Sequence, residues 1–421
     1  MRKILIVGGG QSGLQLALGL LDDDYDVTLV TARTPDEIRG GRVLSTQCMF
    51  DTALQHERDL ELNHWEDRAP KIEHLGISVA GPGNDRVIDW AGRTTAFAQS
   101  VDQRIKMAAW TEEFEAKGGH LTIAGATVSD LERFAVLFDL VVVGAGKGEI
   151  AQLFDRDARH SPYTVPQRAL SAAYVNGMTP RAEHARNQTL HFNIIPGVGE
   201  LFTFPALTLD GPCDILFLEG VPGGPLDVFD GLDDPYEHLR RALELVRSHV
   251  PWEYERCAAV ELTDPGAVLA GRLTPVVRKP VGRLPGGRIV LGMADIVVAN
   301  DPVTGQGANS AAKCAAAYHL AIVEHGDEPF DEAFMQAAFD SYWDKARHVT
   351  AWTNALLAPR PPHVLEILAA AGRHQEIADR FAADFDDPSR FATWFLDPVG
   401  AGAYLADVAA RAGGSRAEPP R

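Results

Sequence analysis

The sequence predicts an α/β fold: a Rossmann-like domain on a parallel sheet, an inserted antiparallel sheet and a helical C-terminus. Three observations predict it. An apolar run at residues 2–7 leads at once into Gly8-Gly9-Gly10-Gln11-Ser12-Gly13 and then a helix-spaced segment. Period-two segments fill the middle of the chain. A second strand-to-helix turn, also rich in glycine, follows near residue 300.

Residues 2–7 form the first strand, residues 14–21 have helical spacing, and residues 26–30 form a second strand. In this βαβ context the glycines point to a dinucleotide site. Gly8 permits a tight turn, Gly10 lets the backbone approach a pyrophosphate, and Gly13 lets helix and strand pack closely. Gln11 and Ser12 open the helix whose N-terminus faces the phosphates. The acidic residue that usually holds a ribose is missing. Thr31-Ala32-Arg33 stands there. It leaves three readings: a 2′-phosphate and hence NADP, the adenosine part of FAD, or a solvated loop.

Residues 35–50 contain Arg39-Gly40-Gly41-Arg42, where Arg42 either meets phosphates or is solvated. Residues 72–90 read as short strands with a turn at 81–84, residues 101–118 as a helix and residues 121–128 as a short strand. Residues 139–146 are an apolar strand running into glycines, the pattern of a buried parallel strand. Gly144-Ala145-Gly146-Lys147-Gly148 lacks a third glycine at the proper spacing. It reads as the chain returning beside the first site. From residue 167 to 275 the period becomes two, notably at 189–194, 200–204 and 214–219. That predicts an antiparallel sheet with one covered face, a roof for a substrate cavity. An acidic loop at 227–234 and an amphipathic helix at 235–250 belong to it. Residues 288–295 form another strand, and small residues from 310 to 324 a helix. The expected division is a discontinuous nucleotide-binding domain (1–165 and 276–330), a β-sheet substrate domain (166–275), a helical region (331–412) and a frayed tail (413–421).

The chain has 421 residues, 46% hydrophobic and 23% charged, as expected of a soluble globular protein. A formal net charge of −19 argues against nucleic acid as a partner. No apolar run reaches membrane-spanning length, and the first strand starts too early for a signal peptide. Cys48, Cys213, Cys257 and Cys314 are scattered, and read as reduced thiols of a cytoplasmic protein. The histidines show no metal-ligand spacing, so no metal is expected.

The second turn, Asp301-Pro302-Val303-Thr304-Gly305-Gln306-Gly307-Ala308-Asn309, follows a strand ending in Asp295. Asp295 can bind a ribityl or ribose hydroxyl, and Pro302 stiffens a loop passing a flavin ring. Gly305, Gln306, Gly307, Ala308 and Asn309 offer backbone N–H groups and a helix dipole to the pyrimidine side of an isoalloxazine. That side becomes negative on reduction. Together with the N-terminal glycines, two distant elements converge on one FAD.

The chain resembles, over nearly its full length, the FAD-dependent epoxidase component of the two-component styrene and indole monooxygenases. The resemblance rests on residues 6–14, 31–37, 139–143, 166–170 and 295–309. It implies a para-hydroxybenzoate hydroxylase-like fold and reduced FAD supplied by a separate NADH-dependent reductase. No pyridine-nucleotide site is then needed, and the NADP reading of Arg33 falls. A homodimer is the assembly left open. Styrene enzymes of the family usually carry Asn, Val and His where this chain has Ser45, Gln47 and Met49. These three match the indole branch, as do Ile72 and, in an alignment that depends on a short insertion, Ala98; Leu75 departs conservatively. The family often has Gly where this chain has Ala294.

The implied activity is epoxidation of indole or a styrene-like aryl alkene through a flavin C4a-hydroperoxide. Such chemistry needs a dry, apolar cavity and a fixed approach, not a strong acid or base. Ser45 and Gln47 are candidate catalytic or orienting groups, with Met49, Ile72, Leu75, Ala98, Phe202, Phe204 and Pro302 as the expected pocket. The alternatives are a styrene monooxygenase proper, a single-component NAD(P)H-dependent aromatic hydroxylase, a flavin halogenase and a flavin-binding sensor. No tryptophan forms the W-x-W pair a halogenase would need.

Overall fold

The computed structural model describes residues 2–146, 148–184 and 188–414. β1 (Lys3–Val7), α1 (Gln11–Asp22) and β2 (Asp26–Thr31) make the opening βαβ unit. α2 (Pro35–Arg39) is a short helix set by a Thr34–Glu37 capping box with Pro35 in its first turn. After α3 (Asp51–Asp59), β3 (Ile72–Ala80) and β4 (Arg86–Ala98) form a long hairpin across the expected turn. The chain then returns to the first sheet through α4 (Gln103–Ala116), β5 (His120–Ile123), α5 (Val128–Leu137), β6 (Leu140–Val143) and α6 (Glu149–Gln152). Helix α5 is absent from the sequence reading, although Thr127 and Asp130 form a capping box at its start.

The expected strands of the middle region are β7 (Ala169–Asn176), β8 (Thr189–Ile195), β9 (Gly199–Thr208) and β10 (Gly211–Gly220). α7 (Pro235–His249), α8 (Pro251–Cys257), β11 (Glu261–Leu262) and β12 (Val268–Arg272) follow. Asp234 caps α7 and Pro235 starts it. β13 (Val276–Val277), β14 (Val281–Arg283), β15 (Ile289–Gly292) and β16 (Val298–Ala299) lead to α9 (Gly307–His325). This helix begins three residues before the expected start. α10 (Glu332–Leu357), α11 (Pro362–Ala371), α12 (Gln375–Ala383) and α13 (Pro398–Gly414) complete the chain. Of the expected tail, residues 415–421 lie outside the described residues, as does Lys147.

Two sheets position the site. The six-stranded sheet has the order β14-β15-β6-β1-β2-β5 and is parallel apart from β14. The eight-stranded sheet has the order β11-β7-β10-β9-β8-β3-β4, with β12 also paired to β7. The 72–98 hairpin joins it through a parallel β3–β8 ladder, so this sheet is not confined to residues 166–275.

The sheet also departs from the expected single covered face. Along β9 and β10, Phe202, Phe204 and Phe217 face one way, whereas Leu201, Leu216 and Leu218 face the other. Both sets are buried. The leucine side packs beneath α7 and α8 with Leu239, Val246 and Val250. The phenylalanine side meets the C-terminal helices through Trp352, Phe381 and Phe385. Trp90 on β4 also donates its indole N–H to the Leu368 carbonyl at 2.9 Å. Alternation of two apolar classes mimics alternation of apolar and polar only at the coarse level of period. The four cysteines are free and buried. Among the described residues, no helix is long and apolar enough to cross a membrane.

Candidate active site

A cleft runs between the two sheets in three connected chambers. The outer chamber, about 470 Å³, is lined by Gly8, Gly9, Gly10, Thr31 and Arg33. Gly10 continues into a middle chamber of about 440 Å³ with Gln11, Ser12, Asp295, Pro302 and Ala308. Pro302, Gly307 and Ala308 also line an inner aromatic chamber of about 80 Å³, with Ser45, Gln47, Phe202, Phe204 and Gly305.

The glycines divide their work. Gly8 adopts φ +121°, and a Cβ there would stand 2.7 Å from that of Ala145. At Gly13 a Cβ would lie 1.9 Å from the Gly8 carbonyl oxygen, so this glycine serves helix–strand packing. Gly10 is different: a Cβ would meet no protein atom within 4 Å. It is also the N-cap of α1 and provides no side-chain cap. The N-cap of α9, Gln306, provides none either. Two long helices therefore turn uncapped N-termini to one cleft, leaving backbone donors for a ligand. FAD fits this arrangement. The α1 end would take its pyrophosphate, the Thr31–Arg33 chamber its adenosine, and the α9 end its ring.

Asp295 opens onto the middle chamber. Protein packed behind it pushes its carboxyl up to about 6 through burial. The neighbouring Ala294 holds φ +49°. A side chain there costs about 1–2 kcal/mol relative to glycine.

The side chains of several expected site residues turn elsewhere. Asn309 is a strut: its Nδ2 donates to the Cys48 carbonyl at 2.8 Å and its Oδ1 accepts from the Phe50 N–H at 2.8 Å. Gln306 turns into the protein and donates to the Phe385 carbonyl at 2.9 Å. Met49 packs with Ala53, Leu54 and Ala312, 3.4 Å from Lys106 Nζ, and lines none of the three chambers. The 42–48 segment is irregular, and Ser45, Thr46, Gln47 and Cys48 all reach the inner chamber. Strict alternation through Ser45, Gln47 and Met49 therefore fails. Ile72, Leu75 and Ala98 are buried in the core behind the chamber wall. Arg42 is exposed and absent from the chamber walls, its charge felt by His238. Gln11 lines the cleft, while its amide is tied to Glu57 at 3.0 Å.

Tyr174, Phe192 and Phe217 escaped the sequence reading. Phe192, Phe202 and Phe217 are direct cross-strand partners, with ring centroids 4.7 and 5.5 Å apart. Aligning the two hairpins by their glycine turns would have found this row. Tyr174 offered no local signal, since its role depends on contact with residues 129 and 127 positions away. Its hydroxyl donates to the Ser45 carbonyl at 2.7 Å and faces Gln47 Nε2 at 3.3 Å. With its proton committed to Ser45, the tyrosine oxygen can only accept from Gln47. That fixes the amide orientation, and Gln47 Oε1 is left buried without a partner.

The fold and cleft define a flavin-dependent monooxygenase architecture. It is shared with the solved flavin-dependent brominase Bmp2, at TM-score 0.64 and 13% identity over 92% of this chain and 96% of that one. The p-nitrophenol 4-monooxygenase PnpA from Pseudomonas putida DLL-E4 gives TM-score 0.63 and 13% identity, covering 92% and 99%. These likenesses show the fold. Residues 146–256 match the family model "Styrene monooxygenase A putative substrate binding domain". Over its length the chain is 31% identical to styrene monooxygenase StyA of Pseudomonas fluorescens, covering 94% of this chain and 96% of the relative. It is 32% identical to StyA of Pseudomonas sp., covering 97% and 98%. The chain belongs to the styrene monooxygenase family and is an FAD-dependent monooxygenase.

Proposed function

We propose that this enzyme epoxidises indole in preference to styrene, using reduced FAD delivered by a separate NADH-dependent reductase. The observation that carries the reading is Gln47, whose Oε1 is buried without a partner in the wall of a chamber lined by four phenylalanines. Indole presents an N–H to such an acceptor, and styrene presents none. Seating styrene leaves the acceptor unmet, at a cost of about 1–3 kcal/mol.

Bound reduced FAD supplies, with O₂, the electrophilic oxygen that an electron-rich C=C bond attacks. The protein's part is positional. Tyr174 holds Gln47, Phe192, Phe202 and Phe217 give the substrate ring an apolar seat, and Pro302 lines both the seat and the flavin chamber. Two-component operation is supported by kinship with StyA, and the three chambers are accounted for by one dinucleotide and one small aromatic.

The test is product formation with a generic flavin reductase, NADH and FAD. Indole should be favoured over styrene in kcat/KM by about tenfold or more. Equal rates would sink the indole reading. Oxidation of NADH or NADPH by the purified chain alone, on adding substrate, would sink the two-component reading.

A further inference from the structure

A group of buried charges sits on the cavity face of the eight-stranded sheet, beside the Pro302 loop, and the site described above does not use it. Glu200 on β9 and Glu219 on β10 are direct cross-strand partners, and both are buried. Arg168 binds Glu200 through two bonds, of 2.8 and 3.1 Å, and Arg360 adds a third at 3.2 Å. Asp301, also buried, caps the turn that carries Pro302 by accepting from the Val303 N–H at 3.2 Å. Glu219 lies against Asp301, two residues along its strand from Phe217 of the aromatic chamber.

Three carboxyls thus face two guanidiniums. Drawn as carboxylates, both oxygens of Glu219 lack any donor. Two facing carboxylates can bond only through a proton. We infer that Glu219 is a positioning residue that keeps its proton at neutral pH and donates it to Asp301, clamping the Asp301–Pro302 turn, and with it the flavin ring's seat, onto the substrate sheet.

Burial, reinforced by Asp301 and Glu200, pushes the Glu219 carboxyl well above the ordinary range, and Arg168 only partly opposes this. Burial also lifts Asp301 to about 6, while its bond to Val303, the Arg168 charge and the Glu219 contact pull it back. Asp301 is therefore the anion of the pair. Tyr163 also faces Asp301 and Arg168, and burial raises it too.

The sign of the pH effect follows. A carboxyl whose folded-state pKa is raised adds stability that is full below its unfolded value and is lost as pH rises through its folded value. Thermal stability and FAD affinity should both fall on the alkaline side in the wild type. Glu219→Gln keeps a donor towards Asp301 and cannot ionise. It should bind FAD like the wild type at neutral pH and hold that affinity in alkali, where the wild type weakens by about tenfold. Asp301→Asn keeps the cap acceptor and offers its own donor, so Glu219 no longer needs its proton. In the infrared, the carbonyl absorption of protonated carboxyls near neutral pH should be weaker in both variants than in the wild type. Identical stability–pH curves for wild type and Glu219→Gln, with no infrared difference, would overturn the inference. So would a folded Glu219→Gln protein that loses FAD at neutral pH. If that variant does not fold, the infrared comparison with Asp301→Asn decides alone.

Discussion

Gln47 shows how little of a side chain's role lies in its own position. Its amide is oriented by Tyr174, whose proton is held by the Ser45 carbonyl at 2.7 Å, and the free acceptor follows from that chain of donors. Substituting Gln47→Val deletes the acceptor and leaves the phenylalanine row intact. The ratio of kcat/KM for indole over styrene should fall about tenfold, the worth of one buried hydrogen bond. An unchanged ratio in the single variant would show that the selector lies elsewhere. Met49→His should do little to that ratio, because Met49 faces Ala53, Ala312 and Lys106 behind the wall. The triplet Ser45, Gln47 and Met49 was legible as a candidate pocket segment. Its geometry was not, since only pairing with residues far along the chain shows which members reach the chamber.

At the scale of elements, the proposed cofactor cradle is two helix starts. Their glycines have separable duties that the motif alone does not distinguish. Gly10→Ala places a Cβ where no protein atom lies within 4 Å, in the space of the cleft. The fold should keep its melting temperature within a few degrees, while FAD affinity drops by at least about tenfold. Gly13→Ala sets a Cβ 1.9 Å from the Gly8 carbonyl oxygen. That clash should cost several kcal/mol and lower thermal stability before binding is reached. Fluorescence titration with FAD beside a melting curve separates the two, and equal melting temperatures would refute the division. The sequence placed both helices and most strands because each follows from local period and turn chemistry. It offered Gln306 and Asn309 through their backbone N–H groups, whereas their side chains brace Phe385 and Cys48–Phe50. A glycine-rich turn reveals that backbone approaches something, not which neighbouring side chains turn away from it.

Over the whole molecule, the sheet that carries the substrate seat is held by a helical layer more than a hundred residues away in sequence. Phe385, just past α12, joins them. It is almost fully buried, and its ring lies 5.4 Å from Phe192, 5.7 Å from Phe50 and 4.7 Å from Trp352. Its carbonyl receives Gln306 of the flavin turn. The sequence reading could call residues 331–412 helical but not see what they cover, because helical period marks an apolar face without naming its partner. Phe385→Ala removes a ring from the junction of three parts and should cost about 3–5 kcal/mol of stability. The distinctive consequence is chemical. Under the proposed chemistry, loosening the wall behind Phe192 admits water to the chamber, so more hydrogen peroxide should escape per epoxide formed. Phe114→Ala is the control. Phe114 is as fully buried, in the core of the six-stranded sheet, and should destabilise comparably. It touches neither seat nor flavin turn, so its peroxide-to-product ratio should stay at the wild-type value. If both variants leak alike, leakage reflects lost stability in general, and the C-terminal layer has no special hold on the chamber.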